Sequence, residues 1–167
     1  MRLSAERGGT IAVNPIDVVE SVVQAKDWIF DRRADDEMVA QAPGCWCDFS
    51  LHFSWNDSLD ALHFSCAFDM RVPPAKRSPV HELLALINEK TWFGHFGLWD
   101  DDGLPLFRYA LPLRGVAGPS LGQMEDLLDC AVAECDRFYP AFQYVIWGGK
   151  SATEAAQAAL LEPVGEA

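Results

Sequence analysis

The strongest constraint on the fold is a pair of alternating apolar and polar runs on either side of residue 57. In residues 45–55, Cys, Phe, Leu and Trp occupy the odd positions, and in residues 62–70 the apolar residues occupy the even positions. Alternate side chains of a β-strand point to opposite faces, so this spacing is typical of a half-buried strand. The two runs therefore predict two strands, each with one apolar and one polar face.

The residues between the two runs predict a hairpin with a defined register. Asn, Asp and Ser at 56–58 form turns readily. With the turn centred between residues 57 and 58, Phe53 faces Leu62, and the apolar residues of both strands share one face. His52 and His63 then become cross-strand neighbours on the polar face. A one-residue slip would place Phe and Leu opposite His and Ser, so the pattern itself opposes it.

Capping residues and helical periodicity predict the other elements. Asn14-Pro15 and Ser78-Pro79 each place a capping residue before a proline, which suits the first position of a helix. Pro140 lies within a long helical pattern and should kink that helix or divide it. We expect helices over 14–33, 78–92 and 120–147, strands over 36–42, 45–55, 62–70, 94–99 and 104–113, and a short tail helix over 153–161.

The resulting order, α-β-β-β-α-β-β-α, predicts an α+β fold. We expect a five-stranded antiparallel sheet with helices packed on it. A chain of 167 residues suits one domain. We place that domain over residues 14–149, with a flexible N-terminal arm over 1–13 and a C-terminal tail over 150–167.

The charge of the chain excludes several classes of partner. Thirteen Lys and Arg residues against 25 Asp and Glu residues give a net charge of −12. Nucleic acids and anionic membranes both attract basic surfaces, so neither is an expected partner. The first residues lack the apolar segment of a secretory signal, and the odd number of cysteines favours a reducing compartment. We therefore expect a cytoplasmic protein.

A segment near the middle of the chain carries a family resemblance. It reads Asn-Glu-Lys-Thr-Trp-Phe-Gly-His-Phe-Gly-Leu-Trp from Asn88, followed by Gly103 and then by Phe107-Arg108-Tyr109-Ala110-Leu111-Pro112-Leu113. An Asn that ends the middle helix, a Gly-aromatic strand and a strand with an aromatic-Arg pair resemble the YbjN family of bacterial proteins. The element order over residues 15–147 resembles that family as well, whereas the tail after Gly149 lies outside the resemblance.

The resemblance implies a fold similar to that of type III secretion chaperones, in which helices pack on a twisted antiparallel sheet. Such proteins are usually dimeric. The YbjN family is described as sensory-transduction regulators, a description that implies no defined chemistry. The resemblance therefore transfers no catalytic residue to this chain.

Motifs that would indicate an enzyme are missing from the sequence. It contains no Gly-x-Ser-x-Gly nucleophile elbow, no Walker-type phosphate loop and no dinucleotide-binding fingerprint. Residues 100–103 read Asp-Asp-Asp-Gly but lack the ligand spacing of a calcium loop, so we interpret them as a solvated hairpin turn. We therefore expect no enzymatic activity, no catalytic residue and no cofactor.

The cysteines and histidines leave two candidate metal sites. Cys45, Cys47 and Cys66 could supply three soft ligands, although we favour ordinary core positions for them, where free cysteines are common. His52 and His63 could bind a divalent metal or respond to pH, because repulsion between two imidazoles opposes protonation. We favour the alternative that both histidines simply belong to a wet sheet face.

The chain has more aromatic residues than a small core requires, with six Trp and ten Phe. Trp92, Phe93, Trp99 and Trp147 lie at the ends of predicted elements. They are candidates for a protein-binding or dimer surface, with core packing as the alternative. We predict a non-enzymatic protein-binding module, a chaperone-like or regulatory homodimer with a protein or peptide client. The alternative is a metal- or pH-responsive sensor that uses His52 and His63.

Overall fold

The two alternating runs form the centre of an antiparallel sheet in the computed structural model, which describes residues 13–161. A short 3₁₀ turn, Pro74–Lys76, precedes the second helix. The helices are α1 (Pro15–Ala25), α2 (Arg77–Asn88), α3 (Leu121–Ile146) and α4 (Ala152–Leu161), and the strands are β1 (Ile29–Ala34), β2 (Glu37–Pro43), β3 (Asp48–Asn56), β4 (Ala61–Ala67), β5 (His95–Trp99) and β6 (Leu104–Pro112).

The sheet has six strands, whereas the sequence predicted five. Their spatial order is β1-β2-β3-β4-β6-β5, and all neighbouring strands are antiparallel. Helix α1 contacts β1 to β3, α3 contacts β4 and β6, and α2 contacts β5, so the helices cover one face. We call the other face the open face. The α+β class and the antiparallel sheet are confirmed.

The sixth strand was missed because the first helix ends earlier than its apolar stripe suggests. Asp27 adopts a left-handed backbone conformation with φ of 58°. Its N–H donates to the Gln24 carbonyl at 3.0 Å, and the Trp28 N–H donates to the Val23 carbonyl at 3.2 Å. This pattern is a Schellman C-cap, which usually contains Gly. The following apolar residues therefore begin β1 instead of extending the helix.

The central hairpin differs from its predicted register by two residues. Phe53 faces Phe64 instead of Leu62. The turn occupies residues 57–60, and the Asn56 side chain accepts backbone N–H groups of this turn at 3.0 and 3.2 Å. Because side chains alternate along a strand, a shift of two residues keeps each of them on its predicted face. The assignment of faces was correct, although the paired residues were not.

Aromatic rings join the covered face of the sheet to α3. Phe68, just after β4, is central to this packing. Its ring centroid lies 5.6 Å from that of Phe49, 5.4 Å from that of Tyr139 and 5.1 Å from that of Phe142. Full burial of one such side chain stabilises a fold by about 1.5–3 kcal/mol. The contacts of Phe68 therefore bind the central hairpin and α3 into one core.

The two C-terminal helices differ in how they are stabilised. Ser120 and Gln123 form a capping box at the start of α3. Pro140 lies inside α3 without dividing it, so the predicted division was wrong. Four of the five Ala side chains of α4 are buried, and this helix packs against α2 and α3. No helix within residues 13–161 is both long and apolar enough to cross a membrane.

The predicted domain boundaries stay predictions. Residues 1–12, most of the predicted arm, and residues 162–167, the end of the predicted tail, lie outside the described residues. The described part of the tail includes α4, which begins one residue before the predicted tail helix and ends at the same residue.

The edge strand β5 is held by the side chain of Asn88, the last residue of α2. The Phe96 N–H donates to Asn88 Oδ1 at 2.7 Å, and Asn88 Nδ2 donates to the Phe96 carbonyl at 3.0 Å. One amide thus satisfies both backbone groups of Phe96. Gly94, just before β5, lies close to the backbone of β6. A side chain does not fit there, because the φ of Gly94 is 67° and an added Cβ would lie 2.3 Å from the Arg108 carbonyl oxygen.

Replacing Asn88 with Ala tests this contact. N88A removes both hydrogen bonds and leaves two partly buried backbone groups unsatisfied. We therefore expect the free energy of unfolding, measured in urea, to be about 1–3 kcal/mol lower than in the wild type. The neighbouring exposed variant E89A is the matched control and should keep the wild-type stability. Equal stability of N88A and E89A would show that water replaces the amide without cost.

Candidate functional site

The four aromatic residues predicted to form an interaction surface are all exposed. Trp92 is 94% exposed, and Phe93, Trp99 and Trp147 are 55%, 49% and 63% exposed. Trp92 and Phe93 precede strand β5, and Trp99 is its last residue. We call these three residues the β5 aromatic patch. Trp147 instead caps the C-terminus of α3. The alternative of plain core packing is therefore wrong for these residues, whereas their role in binding stays a prediction.

An apolar groove lies beside Phe93, between the end of β6 and the first half of α3. Its volume is about 410 Å³, and we call it the β6–α3 groove. The Phe93 and Tyr109 rings meet edge-on there, with centroids 6.5 Å apart. The lining residues are Phe93, Tyr109, Leu111, Gln123, Asp126, Leu127, Asp129 and Cys130.

Carboxylates form the polar part of this groove. Asp129 is ion-paired with Lys26 of the loop after α1. Asp126 lies one turn earlier on α3 and is in no ion pair within residues 13–161. Burial raises the pKa of Cys130, as does the negative charge of Glu134, so the thiol stays protonated near neutral pH. The groove can therefore hold an apolar side chain next to a cation, but it offers no activated nucleophile.

The open face carries the histidines predicted to form a site. His52 faces Ser65, and His63 faces Ser54, so the two imidazoles are diagonal neighbours. The predicted direct pairing was wrong because the hairpin turn is longer than expected. His52 Nε2 instead lies 2.9 Å from a carboxylate oxygen of Glu37 on β2. Among the described residues, no three His, Cys, Asp or Glu side chains form a group that could hold a metal.

The environment of His63 favours its neutral form. Partial burial lowers its pKa from the ordinary value of 6.5, and the nearby positive charges of Arg108, His52 and His95 lower it further. Repulsion between the histidines was predicted to lower the pKa of His63, but burial and the charge of Arg108 lower it more. Arg108 and His95 face each other across β6 and β5.

The cysteines do not form the three-ligand cluster that was the less favoured alternative, since no group of three possible ligands occurs among the described residues. The Cys66 thiol packs inside the core against the Cys135 thiol, with 3.6 Å between the sulfur atoms. Cys47 is half-buried and packs against the core, whereas Cys45 is exposed, so the core interpretation is wrong for Cys45 among the three. All five cysteines are free.

Sequence analysis missed a polar contact that fixes the loop before β3. Asp136 is buried in α3, where its carboxylate accepts the Cys45 N–H at 2.8 Å. Its backbone carbonyl accepts the Trp46 indole N–H at 3.0 Å. The only signal in the sequence was a charged residue within the apolar stripe of the helix. Asp136 therefore positions Trp46, whose ring is exposed beside it.

Comparison with family models decides the family. Residues 15–144 match the YbjN model, described as "Putative bacterial sensory transduction regulator". The chain belongs to the YbjN family. The resemblance at residues 88–115 is thereby confirmed, and it includes the Asn88 contact with β5. Helix α4 lies beyond the YbjN match. A search of curated proteins found no match.

Two solved structures are similar to this YbjN-family chain. The crystal structure of E. coli YbjN, described as "a putative transcription regulator", has a TM-score of 0.53 and 14% identity, covering 75% of this chain and 89% of that chain. The HopA1-SchA chaperone-effector complex has a TM-score of 0.47 and 16% identity, covering 73% of this chain and 89% of that chain. The first similarity shows a common fold. The second is too low to support one, so the type III chaperone-like fold stays an implication of the family.

The charges around His63 predict a measurable titration. We expect an NMR pKa below 6.5 for wild-type His63 and a higher pKa in R108Q, because a positive neighbour is removed. As pH falls through 6.5, the unfolded chain binds a proton more readily than the folded chain, so the contribution of His63 to stability decreases. The control is R114Q, at an exposed arginine after β6. A wild-type pKa at or above 6.5 would contradict this interpretation.

Proposed function

We propose that this YbjN-family protein is a non-enzymatic protein-binding module that acts as a homodimer in the cytoplasm. The carrying observation is that exposed aromatic rings and an apolar groove with carboxylates adjoin each other at Phe93. Aromatic residues are enriched in protein interfaces because they bury a large area at a small entropic cost. Neither nucleic acid nor a membrane is proposed as a partner, given the net charge of −12.

The β5 aromatic patch is the surface that we assign to the dimer. Trp92 and Trp99 stand at opposite ends of β5, so both rings can take part in one contact across this edge of the sheet. A contiguous exposed apolar patch, unlike a single exposed residue, often marks a surface that a partner covers. The Asn88 side chain already occupies both backbone groups of Phe96. Side-chain packing, more than a continuous sheet, is therefore the expected basis of the dimer.

The β6–α3 groove is the surface that we assign to a client. Its floor is apolar, whereas Asp126 contributes a negative charge at one side and the neighbouring Asp129 is already paired with Lys26. This chemistry is complementary to a peptide in which a leucine or a similar side chain is flanked by lysine or arginine. The raised pKa of Cys130, due to burial and to Glu134, supports binding in preference to catalysis, because a protonated thiol is a poor nucleophile.

Light scattering combined with size-exclusion chromatography tests the dimer. We expect wild-type protein at micromolar concentration to have twice the 18.5 kDa monomer mass. The double variant W92S/W99S should dissociate at least about tenfold more readily, since buried Trp residues dominate many interfaces. The control L59S changes an exposed apolar residue in the β3–β4 turn, outside the patch, the groove and the cavity, and should remain dimeric. A wild-type monomer at every concentration would overturn the dimer.

Fluorescence anisotropy with labelled peptides tests the client surface. A peptide of leucines and lysines should bind, and a peptide of leucines and glutamates should not. D126N should weaken the binding by about twofold to fivefold, the effect of one exposed charge pair, whereas D101N in the β5–β6 turn should leave it unchanged. Equal binding of both peptides, or equal effects of both variants, would exclude the groove as a site for basic clients.

A pH-responsive sensor is the second candidate function. The observation that favours it is the position of His63, whose pKa is lowered by burial and by the positive charges around it. A metal-responsive role would require more than His52 and His63. The matching experiment is zinc binding by wild type and by the double variant H52A/H63A, and equal binding would exclude these two residues as ligands.

A further inference from the structure

A group of positively charged and protonatable side chains lies on the open face, across the three strands β4, β6 and β5 at one edge of the sheet. Arg108 of β6 faces Ser65 of β4 on one side and His95 of β5 on the other. His63 lies two residues before Ser65 on β4, so its side chain points to the same face. Facing residues on neighbouring strands have Cβ atoms about 4.5–5.5 Å apart. These four residues therefore form one contiguous group, the open-face basic cluster.

Arg108 has no carboxylate partner in the part of the chain that the structure describes. Its Nε atom is buried without a hydrogen-bond partner, and none of the ion pairs within residues 13–161 includes its guanidinium. Glu37 lies on β2, three strands away from β6, and its carboxylate bonds to His52. A chain of net charge −12 has many carboxylates, so an unneutralised guanidinium is unexpected. A buried donor without a partner is destabilising unless a ligand or water accepts its hydrogen bond.

We propose that the open-face basic cluster binds a small oxyanion, carried as a phosphate or carboxylate group by a molecule that is otherwise mostly apolar. The guanidinium of Arg108 can donate two parallel hydrogen bonds to such a group. The Ser65 hydroxyl and the His95 ring can donate further hydrogen bonds from the neighbouring strands. Charge complementarity is local, because the rest of the surface is acidic and repels extended polyanions such as nucleic acids.

The rest of the ligand has room next to the cluster. A cavity of about 430 Å³ on the open face shares Ser65 with the cluster. Ile29, Val39, Ala67 and Trp99 supply apolar parts of its wall. This volume is in the range of about 300–1,000 Å³ that is usual for small-molecule sites. The ligand is therefore expected to be a small molecule with one oxyanion group at the Ser65 end of the cavity.

An NMR titration of the full chain tests the proposal. Sodium phosphate and, separately, sodium acetate are added at constant ionic strength while the ring protons of His63 and His95 are followed. We expect saturable shifts and a higher His63 pKa when the anion is bound, because a negative neighbour favours the protonated ring. Tighter binding of phosphate assigns the natural group as a phosphate, and tighter binding of acetate assigns it as a carboxylate.

Variants separate the cluster from the general charge of the surface. R108Q should weaken anion binding at least about tenfold, whereas R114Q, an exposed arginine outside the cluster, should not change it. R108K keeps the charge but loses the paired donors, so it should bind more weakly than wild type. If neither anion gives saturable shifts, or if R108Q or R108K binds as tightly as wild type, the proposal is overturned. These variants leave Trp99 unchanged, the residue that belongs both to this cavity and to the β5 aromatic patch, so their outcome can be told apart from that of the dimer experiment.

Discussion

The separation of a dry face from a wet face in strands β3 and β4 is the constraint on which the rest of the structure depends. Phe53 and Phe64 stack on the dry face with ring centroids 4.9 Å apart. The same strands present histidine and serine side chains to the open face. Because the aromatic side must be removed from water, α1 and α3 pack on that side of the sheet. The open face is thereby left available for binding.

Polar contacts define the edges of this arrangement. The paired hydrogen bonds of Asn88 hold β5 to α2, and Asp136 holds the loop before β3 to α3. Each contact satisfies backbone groups that the sheet alone leaves without partners, and such groups are costly when buried. The family motif that begins at Asn88 therefore has a structural reason: it closes one edge of the sheet and places exposed aromatic rings at both ends of that strand.

Two surfaces with opposite chemistry follow from the same sheet. The β6–α3 groove on the helical side combines apolar walls with carboxylates, whereas the open face combines hydroxyl groups with Arg108 and histidines. A protein client and a small oxyanion would thus bind to different sides of one strand, since Tyr109 and Arg108 are adjacent residues of β6.

The sequence by itself determined which side chains share a face. Alternation in β3 and β4 requires only local geometry, so these assignments were correct even where the register was wrong. Local signals failed at Asp27, where an uncommon Schellman cap without Gly ended α1 and hid β1. The tertiary structure alone decided that β6 pairs with β4, which places Arg108 beside Ser65. Such long-range pairing depends on how the whole core packs, and no local periodicity encodes it.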